Sequence, residues 1–291
     1  MDYVNPQALM QETVVVAKKK STLTISDMLI RGMLSGVFLG FGTSMAIIVT
    51  AQGLPPVVGA IMFPAGFVIL VLLGLELATG NFAVLPAGLM AGEVSFMKLL
   101  RNWTWVYFGN LLGCVFYAFL FYLTVTNFGA TSSGPVGEML KAAAQKKTLA
   151  YMALGYKGWA SAMTKGILCN WMVTIGALFM LVSRSTIGKI VAMWLPITVF
   201  FAQGFEHSVV NMFVIPVGMM FGAPISIRNW FFWNQIPVTI GNIVAGVFFT
   251  AAALYLTYGA KQSVSNETAA EKEIAPLEGE VSFAQATAVT Q

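Results

Sequence analysis

Gly204-Phe205-Glu206-His207-Ser208-Val209-Val210-Asn211-Met212-Phe213-Val214-Ile215-Pro216-Val217-Gly218-Met219-Met220 is an apolar run with a polar interruption at its head. The same pattern stands 130 residues earlier, from Gly74 to Met90 rather than Gly204 to Met220. There Gly74-Leu75-Glu76 precedes Asn81-Phe82-Ala83-Val84-Leu85-Pro86-Ala87-Gly88-Leu89-Met90. Both copies read Gly-x-Glu-x4-Asn. A carboxylate in an apolar segment is costly unless paired, so two such sites at matching positions mark designed features.

The repeat extends on either side. Arg31-Gly32-Met33-Leu34 recurs as Lys165-Gly166-Ile167-Leu168. Gly109-Asn110, followed by Val115-Phe116, recurs as Gly241-Asn242, followed by Val247-Phe248. Internal repeats in a membrane protein point to channels and secondary transporters, with the pathway at the repeat interface. A membrane protein is what composition demands: 57% of residues are hydrophobic and 10% charged, with a mean hydropathy of +0.77. A soluble domain carries about 25% charged residues. The net charge of +4 comes mostly from residues flanking apolar segments, which reads as topology signal and not as a nucleic-acid surface. Cys114 and Cys169 lie inside apolar segments without ligand-like neighbours, so no metal, cofactor or disulfide is expected.

Apolar segments lie at about 29–52, 57–90, 104–126, 161–183, 187–220 and 234–258, after a polar to amphipathic segment 1–28 that ends near Lys18-Lys19-Lys20. The second and fifth are too long for one simple span. Each is interrupted, at Gly74 to Gly80 and at Gly204 to Asn211. Broken helices are tolerated at membrane depth only where they are buried in protein or line a cavity. Six spans built as repeats of about 29–126 and 161–258 place the halves in opposite orientation, because three is odd. The expected architecture is all-α, an inverted three-helix repeat with helices 2 and 5 broken. Between the halves a loop of about 35 residues is expected, and 259–291 reads as a polar, disordered tail. One side carries Lys18, Lys19, Lys20, Arg31, Lys98, Arg101, Arg184, Lys189, Lys261 and Lys272; the other carries Lys141, Lys146, Lys147, Lys157, Lys165 and Arg228. This excess places both termini in the cytoplasm or its equivalent.

Glu76 and Glu206 are the carboxylates within the spans. Each either braces the broken helix, together with Asn81 or Asn211, or relays protons. The Asn five residues on favours the brace. His207 is the only histidine, beside a break, and can offer a hydrogen bond or a proton to a passing anion. Thr79 offers a hydroxyl at the matching break. Arg31 and Lys165 open the first and fourth spans at opposite mouths, where positive charge concentrates anions. Phe63, Phe67, Phe200 and Phe201 precede the breaks and suit apolar collars that gate by excluding water. The 28 glycines permit close helix contact.

Several of these words, in order, closely resemble the formate/nitrite transporter family: Gly204 through Met212, Ile236-Pro237-Val238-Thr239-Ile240-Gly241-Asn242, Leu77-Ala78-Thr79-Gly80-Asn81, Asn102-Trp103 through Tyr107-Phe108-Gly109-Asn110, and Cys169-Asn170-Trp171. The similarity covers roughly residues 29–258. It implies a homopentamer of aquaporin-like protomers in the lipid bilayer, each passing small monovalent weak-acid anions such as nitrite, bicarbonate or formate. By the same resemblance His207 is the central pore histidine, with Thr79 in the second-helix break and Asn170 nearby. Phe63 and Phe200 form one constriction; Phe67, Leu77 and Val173 form the other; Lys165 is the vestibule lysine. Ala78 stands where some formate channels carry a bulky aromatic, which sets formate preference in question. The wording is also similar to algal chloroplast-envelope members, so a plasma membrane or a chloroplast envelope is the expected location. An aquaporin-like neutral-solute channel lacks its two Asn-Pro-Ala boxes here. A hydrolase built on Ser208 and His207 lacks an elbow motif and a workable geometry. A purely structural membrane adaptor leaves the polar breaks without purpose. No enzymatic activity is expected.

Overall fold

The computed structural model describes residues 2–259; the expected tail, with Lys261 and Lys272, lies outside the described residues from 260 onward. The described residues are helical apart from turns and one isolated bridge between Tyr3 and Ser183; the helices are α except for π-helical stretches at Phe231–Gln235, Ala245–Ala252 and Tyr255–Gly259. In chain order the helices are α1 (Pro6–Ser21), α2 (Ile25–Ala51), α3 (Pro56–Met62) and α4 (Pro64–Leu72). There follow α5 (Ala78–Met90), α6 (Phe96–Val125), α7 (Gly134–Ala153) and α8 (Tyr156–Phe179). The last are α9 (Thr186–Ala202), α10 (Ser208–Met220) and the long α11 (Ile227–Gly259). Of these, α2, α6, α8 and α11 are long and apolar enough to cross a membrane.

Capping explains where the helices start. The hydroxyls of Thr24, Ser95 and Ser226 accept the backbone N–H of Asp27, Lys98 and Asn229, so α2, α6 and α11 begin before their apolar stretches do. Hydropathy alone starts these segments at 29, 104 and 234, because the first turns carry polar residues such as Asp27, Lys98 and Asn229. The expected 35-residue loop is corrected in the same way. Its middle is the 20-residue helix α7, too polar for a hydropathy window but well packed on its buried face of Leu140, Ala144, Thr148 and Tyr151.

The halves repeat each other's packing. Helix α2 lies along α6 as α8 lies along α11, and α1 covers α5 as α7 covers α10. Glycine sets the spacing. A Cβ on Gly109 would sit 2.9 Å from the Leu29 carbonyl oxygen, and one on its mate Gly241 would sit 2.2 Å from that of Met163. Each half also crosses into the other, with α10 packed on α6 and α5 on the second half of α11. The core lies where α4, α5, α8, α9 and α10 converge, around Phe63, Phe67, Phe200 and Val173.

The N-terminal segment is tied across the halves. The Asp2 carboxylate accepts from Ser183 Oγ (2.9 Å) and from the backbone N–H groups of Arg184 and Ser185 (2.7 Å each). The guanidinium of Arg184 pairs with Glu12 on α1. The Ser183 hydroxyl and these N–H groups hold the Asp2 carboxyl below its ordinary value. A depressed carboxylate pKa contributes stability above its unfolded value, and that contribution is lost as pH falls through the folded value. Amide exchange of residues 3–5 is therefore expected to stay slow from neutral pH down to about pH 4 and to accelerate below it. Asp2→Asn is expected to show fast exchange there already at pH 7; slow exchange in that variant at pH 7 would refute the tie.

Candidate functional site

Two helix interruptions organise the site. Helix α4 ends at Leu72 and α5 starts at Ala78; helix α9 ends at Ala202 and α10 starts at Ser208. The chain turns at Gly74 and Gly204, both at φ +66°, a conformation that side chains bearing a Cβ adopt poorly. The freed backbone groups find the same kind of partner in each half. Asn110 Nδ2 donates to the Glu76 carbonyl (2.9 Å), and its Oδ1 accepts from Ala78 N–H (2.9 Å). Asn242 Nδ2 donates to the Glu206 carbonyl (3.1 Å), and its Oδ1 accepts from Ser208 N–H (2.9 Å). Each asparagine thus replaces the hydrogen bonds that a continuous helix would have made.

The two glutamates are buried and paired. Lys20 Nζ on α1 lies 2.7 Å from Glu76 Oε1, and Asn81 Nδ2 donates to Glu76 Oε2 at 2.7 Å. Lys147 Nζ on α7 lies 2.9 Å from Glu206 Oε2, which Asn211 Nδ2 also reaches at 2.8 Å. Tyr151 O–H donates to Glu206 Oε1 at 2.9 Å. Asn102 links Asn81 to the Lys20 carbonyl, and Asn234 links Asn211 to the Lys147 carbonyl. Glu76 with Asn81, and Glu206 with Asn211, thus lie in two matched side-chain clusters. Every acceptor oxygen of Glu206 holds a donor, so its carboxylate is committed to structure.

Sequence reasoning did not find Lys20, Lys147, Tyr151, Asn102, Asn234, Asn110 or Asn242 in these roles. A signal was present: Lys19-Lys20 and Lys146-Lys147 are a further pair of repeated words, hidden because α1 and α7 are not apolar.

Between the two clusters a side chain from each interruption meets the other. Thr79 Oγ1 and His207 Nε2 are 3.1 Å apart, both fully buried. His207 Nδ1 accepts the backbone N–H of Val210 at 3.1 Å and so caps α10. A backbone N–H only donates, so Nδ1 carries no hydrogen. The ring hydrogen is on Nε2 and points to the Thr79 hydroxyl, whose own hydrogen has no acceptor among the described residues. The repeat mate of His207 is Leu77, which caps α5 with no side-chain bond.

An aromatic layer closes this centre. The Phe200 ring stacks on His207 at 5.7 Å and meets Phe63 edge-on at 5.6 Å; Phe63 stacks on Phe201 at 4.0 Å. Phe67, Leu77 and Val173 belong to the same buried cluster. Asn170 Nδ2 donates to the Thr79 carbonyl (3.1 Å) and the Asn242 carbonyl (2.6 Å), and its buried Oδ1 has no partner among the described residues. Ala78 is the expected site residue placed elsewhere. It packs with Met28, Phe82 and Val106, because one residue along a helix turns the side chain by about 100° from Leu77 and Thr79.

From one side a cavity of about 550 Å³ leads to this layer. Lys19, Lys20 and Arg31 line it, and Phe67 and Leu77 form its floor. Arg31 lies 3.5 Å from Asp27. On the other half the Lys165 ammonium sits 5.4 Å over the Tyr151 ring, and the Lys165 carbonyl accepts Glu206 N–H at 3.3 Å. The ion pair to Glu206 comes from Lys147 and not from Lys165.

The sequence model of the formate/nitrite transporter family matches residues 7–256. The chain belongs to this family. It is an integral membrane protein of a transport family and not an enzyme. A probable formate transporter of Methanothermobacter thermautotrophicus is 36% identical over 84% of this chain and 93% of its own length. The formate channel FocA of Escherichia coli is 31% identical over 71% of this chain and 75% of its own. Among solved structures, a pentameric formate channel with formate bound superposes with a TM-score of 0.66 at 26% identity, over 80% of this chain and 97% of that one. An ion channel of the same family superposes at 0.71 with 22% identity, covering 86% and 98%, and shares the fold.

Proposed function

We propose that this family member is a channel or permease for small monovalent weak-acid anions, with formate first and nitrite and bicarbonate beside it. The observation that carries the reading is the Thr79–His207 contact, where a polar side chain from each helix break meets the other beside the Phe200 ring. In this reading the chain crosses the membrane six times as an inverted repeat, with α3–α4–α5 and α9–α10 as the two broken spans. Five copies assemble, each with its own path, and both termini face the cytoplasm or its equivalent.

Lys19 and Arg31 gather anions at one mouth and Lys165 gathers them at the other, the charges of Lys20 and Lys147 being neutralised by Glu76 and Glu206. The Phe63–Phe200 layer and the Phe67–Leu77–Val173 layer then strip water. A bare anion in such a medium costs on the order of tens of kcal/mol, so the crossing species is the neutral acid. The proton comes from vestibule water. His207 does not supply it, because a ring with Nδ1 tied to Val210 N–H has one hydrogen and acts as a donor. A second ring proton would have to sit on Nδ1 and would eject the cap. His207 Nε2–H and Thr79 O–H together hold the acid's oxygens at the centre. The formate channels among the relatives support formate as the leading substrate, and Ala78, packed away from the aromatic layer, carries no argument against it.

The test is uptake into proteoliposomes of formate, nitrite and bicarbonate at several pH values, with internal pH recorded. Formate uptake accompanied by proton uptake is the expected result. Absence of uptake above empty vesicles for all three anions would overturn the assignment.

A further inference from the structure

A second cavity, of about 590 Å³, opens on the outer face between α6 and α11. Its walls are apolar and largely aromatic, with Phe82, Trp103, Phe108 and Phe231 facing Ile236 and Ile240, and among the described residues no charged side chain lines it. Its floor is polar. Gln235 Nε2 donates to Tyr107 Oη (2.6 Å) and to the Ser208 carbonyl (3.2 Å), which uses both of its hydrogens. Gln235 Oε1 accepts Trp230 Nε1–H at 3.1 Å. Tyr107 Oη and Thr239 Oγ1 are 2.7 Å apart. These two hydroxyls carry two hydrogens, and the bond between them uses one. The other has no acceptor among the described residues.

The floor also departs from the repeat. Tyr107 and Thr239 occupy matching positions in Tyr107-Phe108-Gly109-Asn110 and Thr239-Ile240-Gly241-Asn242, and so do Trp103 and Gln235 beside Asn102 and Asn234. The asparagines around them are kept in both halves while these two pairs differ. The brace does not require that difference.

A volume of this size, apolar walls and a few convergent polar groups are the usual make-up of a small-molecule site. We infer that the α6–α11 groove binds a neutral lipophile bearing one hydrogen-bond acceptor, a ketone, ester or ether oxygen, which takes the free hydroxyl hydrogen of the Tyr107–Thr239 pair. The uncharged lining selects against fatty-acid anions and charged headgroups, since an unpaired charge gains nothing there. The aliphatic or ring portion lies between Trp103, Phe108 and Ile240. The inference does not depend on which anion the pore carries.

The test uses the full chain in nanodiscs with 2-dodecanone as the probe and dodecane as its acceptor-free match. One hydrogen bond, at about 1 kcal/mol, predicts that the ketone binds roughly fivefold more tightly than the alkane. The infrared carbonyl band of the bound ketone is expected at lower wavenumber than in lipid alone. Ile240→Trp and, separately, Ile243→Trp fill the groove and are expected to abolish both the binding and the shifted band. Equal affinity for ketone and alkane, or an unshifted band, would overturn the assignment of the floor. Retained binding in both groove-filling variants would place the ligand elsewhere. Loss of the assembly in those variants, with no probe binding to the wild type, would make the groove a contact between copies and overturn the inference.

Discussion

Glu206→Ala is expected to cost the assembled protein about 3–5 kcal/mol, the range for removing one partner of a buried ion pair. The magnitude follows from what is left behind. Lys147 Nζ, Tyr151 O–H and Asn211 Nδ2 all point at the Glu206 carboxylate, and each keeps its burial when that carboxylate goes. Helix α7 also loses its Lys147 and Tyr151 side-chain ties to the turn that precedes α10. Removing both charges should hurt far less, because a buried pair replaced by neutral groups of similar size is often close to neutral in stability. The double variant Glu206→Gln, Lys147→Met is therefore expected to recover most of the loss seen in Lys147→Met alone. Thermal inactivation of the detergent-solubilised protein, read as the surviving oligomer peak in gel filtration, measures this. A Glu206→Ala protein as heat-resistant as wild type would contradict the account. Glu76→Ala is expected to follow the same direction with a smaller effect, since Glu76 has Lys20 and Asn81 but no tyrosine partner.

His207→Ala separates transport from stability. The side chain makes one cap bond, to Val210 N–H, and one bond to Thr79. Losing a helix cap costs about 1 kcal/mol, so the variant should fold and assemble. Losing a hydrogen bond to the permeating neutral acid at the apolar centre costs about 0.5–1.5 kcal/mol, or roughly 2- to 13-fold in flux. Formate uptake is expected to fall by that factor while the melting behaviour changes little. His207→Asn keeps a capping oxygen and an N–H donor, so it should lie between alanine and wild type. Thr79→Val, which removes the second donor and preserves shape, should lose flux without loss of assembly. Wild-type flux in His207→Ala would remove the central role assigned to this ring. Collapse of both flux and assembly in every one of these variants would mean that the contact is structural.

Much of this was legible in the chain. The repeated Gly-x-Glu-x4-Asn announces both interruptions, because a glycine free to take φ +66° and a carboxylate with an asparagine five residues on are local requirements. His207 and Thr79 were recognisable because each stands at such a break. Helix starts were less legible, since Thr24, Ser95 and Ser226 cap polar first turns that a hydropathy window discounts. Helix α7 was read as loop for the same reason. Its charge hides a narrow buried face that exists only once the chain has folded, chiefly against α10.

The sequence by itself determined an apolar, twofold-repeated chain, the positions of its two breaks and the residue types gathered there. These follow from local chemistry: solvation cost, backbone freedom and periodicity act over a few residues. Only the tertiary structure decided the pairings. Lys20 meets Glu76, Lys147 meets Glu206 and Thr79 meets His207 across separations of 56, 59 and 128 residues. It also turned Ala78 away from the aromatic layer and put the His207 hydrogen on Nε2. Such outcomes depend on which helix faces pack together. That packing is set by glycine contacts such as Gly109 on Leu29 and Gly241 on Met163, which bring distant segments within hydrogen-bonding distance.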